Sequence, residues 1–147
     1  MTATSPVRGV VLVPGLASGA TLVLDEPLSF WGGVDPASGV ITDAHHPQVG
    51  AVMSGRIMLM PAGRGSSSSS SVLAEAIRGG VGPAAILLGT SDPIIALGAL
   101  VGAELYGVHT PVVVLDAADY ATCCAADALT VDATDAQAVV SSAGAPP

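Results

Sequence analysis

Apolar residues along this chain come in short, nearly unbroken runs separated by glycine, proline and small polar residues. Val10-Val11-Leu12-Val13, closed by Pro14-Gly15, predicts a short buried strand, and Thr21-Leu22-Val23-Leu24, closed by Asp25-Glu26-Pro27, predicts a second. Phe30 to Gly39 holds Gly32-Gly33 and Asp35-Pro36 and reads as loop and turn. Val40-Ile41-Thr42 predicts a brief third strand, and Arg56 to Met60 a better one, stopped by Pro61. Val72, Leu73, Ala76 and Ile77 then fall on one helical face that Gly79-Gly80 ends. Ala84 to Leu88 is continuously apolar, as expected of a strand covered on both faces. Ser91-Asp92-Pro93 is a helix start, a capping residue followed by proline at the first helical position. The helix it opens runs from Pro93 to Leu105 and is apolar nearly all round. Its small residues Gly98, Ala99, Gly102 and Ala103 would let another element approach closely. Val112 to Leu115 and Ala128 to Val131 predict the remaining strands.

This order, β-rich at first and then alternating, predicts a single compact α/β domain whose N-terminal strands add an extra β layer. Its expected extent is residues 1–135, with 136–147 a frayed, flexible tail rich in Ala, Ser and Gly. No internal repeat is visible.

Composition sharpens the picture. The 147 residues are 50% hydrophobic and 11% charged, with mean hydropathy +0.67, so disorder is excluded and one core is affordable. Four arginines, no lysine and twelve acidic residues give a net charge of −8. Without a basic cluster, neither nucleic acid nor an anionic membrane is an expected partner. The longest apolar stretch, Pro93 to Ala103, falls short of the roughly 20 residues needed to span a bilayer. Nothing near Met1 resembles a signal peptide, and the expectation is a cytoplasmic protein. So apolar a composition in so small a protein implies a large core or a surface meant for a partner.

The most informative stretch is Pro61-Ala62-Gly63-Arg64-Gly65-Ser66, followed by serines through Ser71. Six serines in isolation read as a flexible linker. Between a strand and a helix they read differently. A Gly-Arg-Gly-Ser turn there puts free backbone N–H groups at a positive helix end. Gly63 and Gly65 permit close approach, and Arg64 can grip a carboxylate or phosphate in a bidentate fashion. The reading is an anion-binding loop that also presents hydroxyls. It lacks the Gly-Lys-Ser/Thr ending of a Walker loop, and no glycine stands two residues after any serine in the run, as a nucleophile elbow requires.

Other polar residues read more plainly. His45 and His46 are adjacent, so in a strand they would face opposite ways, and a turn with a structural or solvated histidine is expected. His109 has the same reading. Asp92 is a helix cap, and Glu75 and Glu104 are solvated helix residues. Cys123 and Cys124 are adjacent, a poor geometry for a disulfide or a shared metal, and read as small hydrophobes near a strand or turn.

Several segments together resemble the swivel domain, or small subunit, of the aconitase X group of dehydratases. They are Phe30-Trp31-Gly32-Gly33-Val34-Asp35-Pro36 with Gly39, Asp43 with His46-Pro47, and Met60 to Ser66. The likeness continues through Val72 to Glu75, Pro83 to Ile86, Asp92-Pro93-Ile94 and Glu104 to Gly107 to Pro111-Val112-Val113, covering about residues 8 to 116. The resemblance implies a swivelling β/β/α domain that dehydrates a small hydroxy acid at its interface with a large subunit, in a hetero-oligomer. The large subunit would hold an iron–sulfur cluster through its own cysteines, and this chain none. It implies either cis-3-hydroxy-L-proline, going to 1-pyrroline-2-carboxylate, or mevalonate 5-phosphate as substrate, and the Ala/Gly/Val-rich, lysine-free composition, that of a GC-rich bacterial genome, favours the first. Ser66 maps to the proton-abstracting base, with Arg64, Gly65 and Ser67 as substrate neighbours. The unbroken serine run and the chain beyond Asp116 depart from the family pattern. The rival readings are a non-catalytic anion-binding module and, weaker for want of an assignable His/Asp pair, a serine hydrolase.

Overall fold

The short apolar runs pair with one another around a closed ring. The computed structural model describes residues 6–143. Its elements are β1 (Val7–Val13), β2 (Gly15–Val23), α1 (Phe30–Gly33), β3 (Ile57–Met60), α2 (Ser68–Arg78) and β4 (Ala85–Leu88). They continue as α3 (Pro93–Tyr106), β5 (Val112–Val114), α4 (Ala117–Cys124), β6 (Ala128–Ala133) and β7 (Gln137–Ser142). The seven strands close into a barrel in the order β1-β5-β4-β3-β2-β6-β7. β2, β3, β4 and β5 are mutually parallel, in register Thr21↔Ile57, Ile57↔Ala85 and Ile86↔Val112. The connections β3–α2–β4 and β4–α3–β5 are βαβ crossovers, which is why those strands read as continuous apolar runs. β1, β6 and β7 close the ring with antiparallel pairings.

Alternation along the strands divides the core in two. Ile57, Leu59, Leu87, Val113, Leu129 and Val140 belong to one cluster, which fills the barrel. Met58, Met60, Ile86, Leu88 and Val112 face the other way and pack with Leu73, Ile77 and Ile95 of α2 and α3. The two helices cross closely because α3 presents glycines. A side chain at Gly98 would come within 2.9 Å of the Ser70 carbonyl oxygen, and one at Gly102 within 2.8 Å of Ile77. The small residues expected to admit a neighbour therefore admit α2.

Four expectations are corrected. β1 and β2 form no separate layer: both are staves of the same barrel. The expected tail is strand β7 over Gln137–Ser142, paired to β1 and β6, with Ala138 and Val140 inside the barrel. Residues 144–147 lie outside the described residues. Ala117–Cys124 is a helix rather than a strand or turn, capped by Asp116, whose Oδ1 accepts the Asp119 N–H at 2.8 Å. Val40 and Ile41 make only isolated bridges, to Val52 and Val34. Among the described residues no helix is long and apolar enough to cross a membrane.

Candidate active site

In a parallel array every strand delivers its following loop to the same end. The chain leaving β2, β3, β4 and β5 therefore converges at one rim of the barrel, the place where α/β folds gather ligand groups. Beyond the strands themselves, Leu28 still bridges Gly63 in parallel, so the segment after β2 runs beside the turn after β3. From the β4 side, the Gly89 N–H reaches the Met60 carbonyl at 3.3 Å. The glycine–arginine turn is thus held between two neighbouring loops.

Each glycine in that turn has a specific reason. Gly65 has φ +105°, a conformation that disfavours side chains, and a Cβ there would press on the hydroxyls of Ser29 and Ser69. Gly63 lies against Asp92, where a Cβ would sit 2.6 Å from the Asp92 carboxyl carbon. Asp92 caps α3, its Oδ1 accepting the N–H groups of Ile94 at 2.8 Å and Ile95 at 3.1 Å. Asp92 is therefore both the helix cap that local sequence predicts and a wall of the turn.

Between these walls the turn is open. Arg64, Gly65, Ser66 and Ser67 are all exposed. Arg64 makes no ion pair among the described residues; the pair there joins Arg78 to Glu75 on the exposed side of α2. The N–H groups of Gly65, Ser66 and Ser67 find no acceptor among the described residues. Ser67 occupies the N-cap of α2 in helical geometry, and its hydroxyl makes no capping bond. Helix α2 starts inside the serine run, so Ser68 to Ser71 form its first turn rather than a linker. There the Ser69 N–H reaches the Ser66 carbonyl at 2.9 Å, and the Ser70 hydroxyl donates to the Ser67 carbonyl at 2.7 Å. One cation, free amides and exposed hydroxyls at a helix N-terminus suit a carboxylate or phosphate.

Ser66, Arg64, Gly65 and Ser67, the four residues expected of the site, are consecutive and lie in this exposed turn. Ser29, Trp31 and Ser69 lie beside it, and of these only Trp31 falls in a segment that carries the resemblance. The α1 corner carrying Trp31 lies next to α2 only in the fold, and six identical serines give no sign which of them turns inward.

The histidines take structural and solvated places. His46 is 4% exposed; its Nδ1 accepts the Gln48 N–H at 3.0 Å, which leaves Nε2–H to donate to the Glu26 carbonyl at 3.1 Å. It ties the chain after β2 to the following loop. His45 is exposed, and the pair does not converge. His109 lies at the opposite barrel end, beside a shallow cavity of about 230 Å³ with Gly80, Gly82 and Pro83.

A closed mixed barrel with flanking helices and an exposed glycine–arginine–serine turn at its rim defines an α/β domain whose candidate site is open to solvent. A model of the aconitase X swivel domain matches residues 6–140. The chain belongs to the aconitase X swivel-domain family. It is 53% identical over 104 residues to a cis-3-hydroxy-L-proline dehydratase of Pseudomonas aeruginosa, covering 71% of this chain and 18% of that protein. It is 40% identical over 94 residues to the phosphomevalonate dehydratase small subunit of Thermococcus gammatolerans, covering 64% of this chain and 72% of that one. The match thus spans under a fifth of the Pseudomonas protein's length. The crystal structure of Thermococcus kodakaraensis aconitase X in its holo form superposes with TM-score 0.76 at 30% identity, covering 93% of this chain and 98% of that chain.

An iron–sulfur cluster, which the family resemblance implies, does not fit this chain's own residues. Among the described residues no three His, Cys, Asp or Glu side chains group to hold a metal. Cys123 is buried in the barrel core, and burial pushes its thiol up to about 11. Burial raises the Cys124 thiol as well, and no third ligand lies near the pair among the described residues.

Proposed function

We propose that this chain is the small, swivel subunit of an aconitase X-type hydro-lyase that dehydrates cis-3-hydroxy-L-proline to 1-pyrroline-2-carboxylate. The observation that carries the proposal is the exposed Ser66 beside Arg64 and three free amides, in a chain of this family. Ser66 takes the proton from the carbon bearing the carboxylate, the hydroxyl leaves the neighbouring carbon as the double bond forms, and the proton released again from Ser66 completes the water that is lost. The enamine so formed tautomerises to the cyclic imine. Arg64 holds the carboxylate, with Gly65 and Ser67 lending backbone N–H groups beside it. A serine is a poor base unless its alkoxide is stabilised, and the helix N-terminus and the arginine supply that stabilisation.

The rest of the site belongs to a larger partner subunit, which also holds the cluster. An exposed rim with Trp31 at 63% exposure, and Leu97 and Leu100 outward on α3, supports such a partner. The 53% identity to a hydroxyproline dehydratase favours that substrate, while the 40% identity to a phosphomevalonate dehydratase small subunit supports mevalonate 5-phosphate as the second reading.

Co-expression with the cognate large subunit, followed by assay of both substrates, tests the proposal. Dehydration of the hydroxyproline by the complex, absent from either chain alone, is the expected result. A complex that turns over neither substrate, with a chain that still binds a carboxylate or phosphate, would replace it with the anion-binding module.

A further inference from the structure

Among the six serines, Ser69 alone is buried, at 3% exposure. Its hydroxyl lies 3.3 Å from Ser29 Oγ and 3.4 Å from the Trp31 backbone nitrogen, while Ser29 Oγ lies 3.0 Å from the Trp31 carbonyl oxygen. Only one arrangement of protons satisfies all three contacts. The Trp31 N–H donates to Ser69, so Ser69 accepts there. The Trp31 carbonyl can only accept, so Ser29 gives it its proton. Ser69 must then donate to Ser29. The result is a closed ring in which each hydroxyl both donates and accepts, an arrangement whose members polarise one another.

Gly65 rests on this ring. A Cβ there would stand 3.0 Å from the Ser69 hydroxyl and 3.1 Å from the Ser29 Cβ. Gly65 immediately precedes Ser66, and the Ser69 N–H holds the Ser66 carbonyl at 2.9 Å. Ser69 therefore holds the turn through its amide, while its hydroxyl bonds the Trp31 corner and occupies the space that a side chain at Gly65 would need.

We propose that Ser69 is a positioning residue that couples the Trp31 corner to the Gly65–Ser66 turn through this ring of hydroxyls. The catalytic consequence rests on Ser66 being the base. With the ring intact, Ser66 is presented in one place; with it broken, the turn samples others, and the base is misplaced for the substrate proton.

The test has a readout independent of turnover. In the isolated chain, Ser69→Ala is expected to shift the backbone amide resonances of Trp31, Gly65 and Ser66 while those of the barrel strands stay in place. Trp31 is the only tryptophan, so its indole emission reports the same corner. In the two-subunit enzyme kcat is expected to fall roughly tenfold to a hundredfold at nearly unchanged KM. Unmoved Gly65 and Ser66 resonances, or a kcat within twofold of the parent, overturn the proposal. Should Ser69→Ala fail to fold, Ser29→Ala breaks the same ring from the more exposed side, and the same shifts are expected. The two assignments fail separately. A dead Ser66→Ala with a fully active Ser69→Ala sinks only the positioning role. A fully active Ser66→Ala sinks the base and, with it, any catalytic effect through the base. Where the assembled enzyme shows no turnover, the amide resonances alone decide the coupling.

Discussion

Asp92 fills the space that a side chain at Gly63 would need, and one of its carboxylate oxygens caps α3 at the same time. The carboxylate thus joins the helix after β4 to the turn after β3. Gly63→Ala is expected to cost about 1–3 kcal/mol, because the new methyl must push aside a group pinned by two N–H bonds. Asp92→Ala alone costs about 1 kcal/mol through the lost cap. In the double variant the methyl meets only the movable end of the Ile95 side chain, 2.9 Å away, so the two single costs sum to more than the double variant shows. Urea denaturation of the four proteins measures this coupling; additivity within about 0.5 kcal/mol would show that the two residues do not share the space.

Arg64 is exposed and makes no ion pair among the described residues, so its loss leaves the fold alone. A charged hydrogen bond to the substrate carboxylate is worth about 1.5–3 kcal/mol. Arg64→Ala should therefore raise KM roughly 10- to 100-fold in the assembled enzyme, with unchanged melting of the chain. Arg64→Lys should recover only part, since a point charge lacks the planar fork. An unchanged KM in Arg64→Ala would remove Arg64 from the substrate site.

Alkaline pH should loosen the barrel. Burial pushes the Cys123 thiol from its ordinary value of 9.0 up to about 11, and raises Cys124 and the Tyr120 hydroxyl in the same direction. Between pH 9 and 11 the unfolded chain has given up protons that the folded chain still holds. Stability then falls as pH rises through that window and is untouched at neutral pH. Melting temperatures followed from pH 8 to 11 should show the fall, and Cys123→Ala should flatten part of it. Parallel curves for the two proteins would count against Cys123 as a source.

Ending the chain after Ala136 should unfold it. Strand β7 pairs with β1 on one side and β6 on the other, and it supplies Ala138 and Val140 to the barrel interior. Its removal opens two strand edges and exposes the core between them, a state prone to aggregation. Near-UV circular dichroism and amide dispersion should collapse. A truncated chain with a native spectrum would mean that the ring does not need its seventh stave.

Legibility along the chain followed how local each signal is. The start of α3 was plain in Ser91-Asp92-Pro93, because capping and the proline constraint act within one turn. Strands β3, β4 and β5 were plain as apolar runs, because burial on both faces leaves no polar position to interrupt them. Strand β7 was not: Gln137-Ala138-Val139-Val140-Ser141-Ser142 is short and mixed, and it is a strand because β1 and β6 offer it backbone partners on both sides. Helix α4 escaped for a similar reason. Its segment has one buried residue, Cys123, and owes its form to the Asp116 cap and the barrel it packs on.

The site divides in the same way. Gly63, Arg64, Gly65 and Ser66 stood out because their spacing between a strand and a helix is a local pattern with a local meaning, and their resemblance to a known family pointed to the same turn. The amino-acid sequence by itself therefore determined the apolar strands β3, β4 and β5, the start of the helix that Asp92 caps, and the glycine–arginine turn before the serines. Only the tertiary structure decided that the strands close into a ring, that Asp92 walls Gly63, and that Ser69, one of six consecutive serines, bonds to Ser29 and Trp31. Spacing along a chain specifies the conformation of a few residues. Contacts between residues dozens of positions apart exist only once the core has packed and brought the loops to one rim.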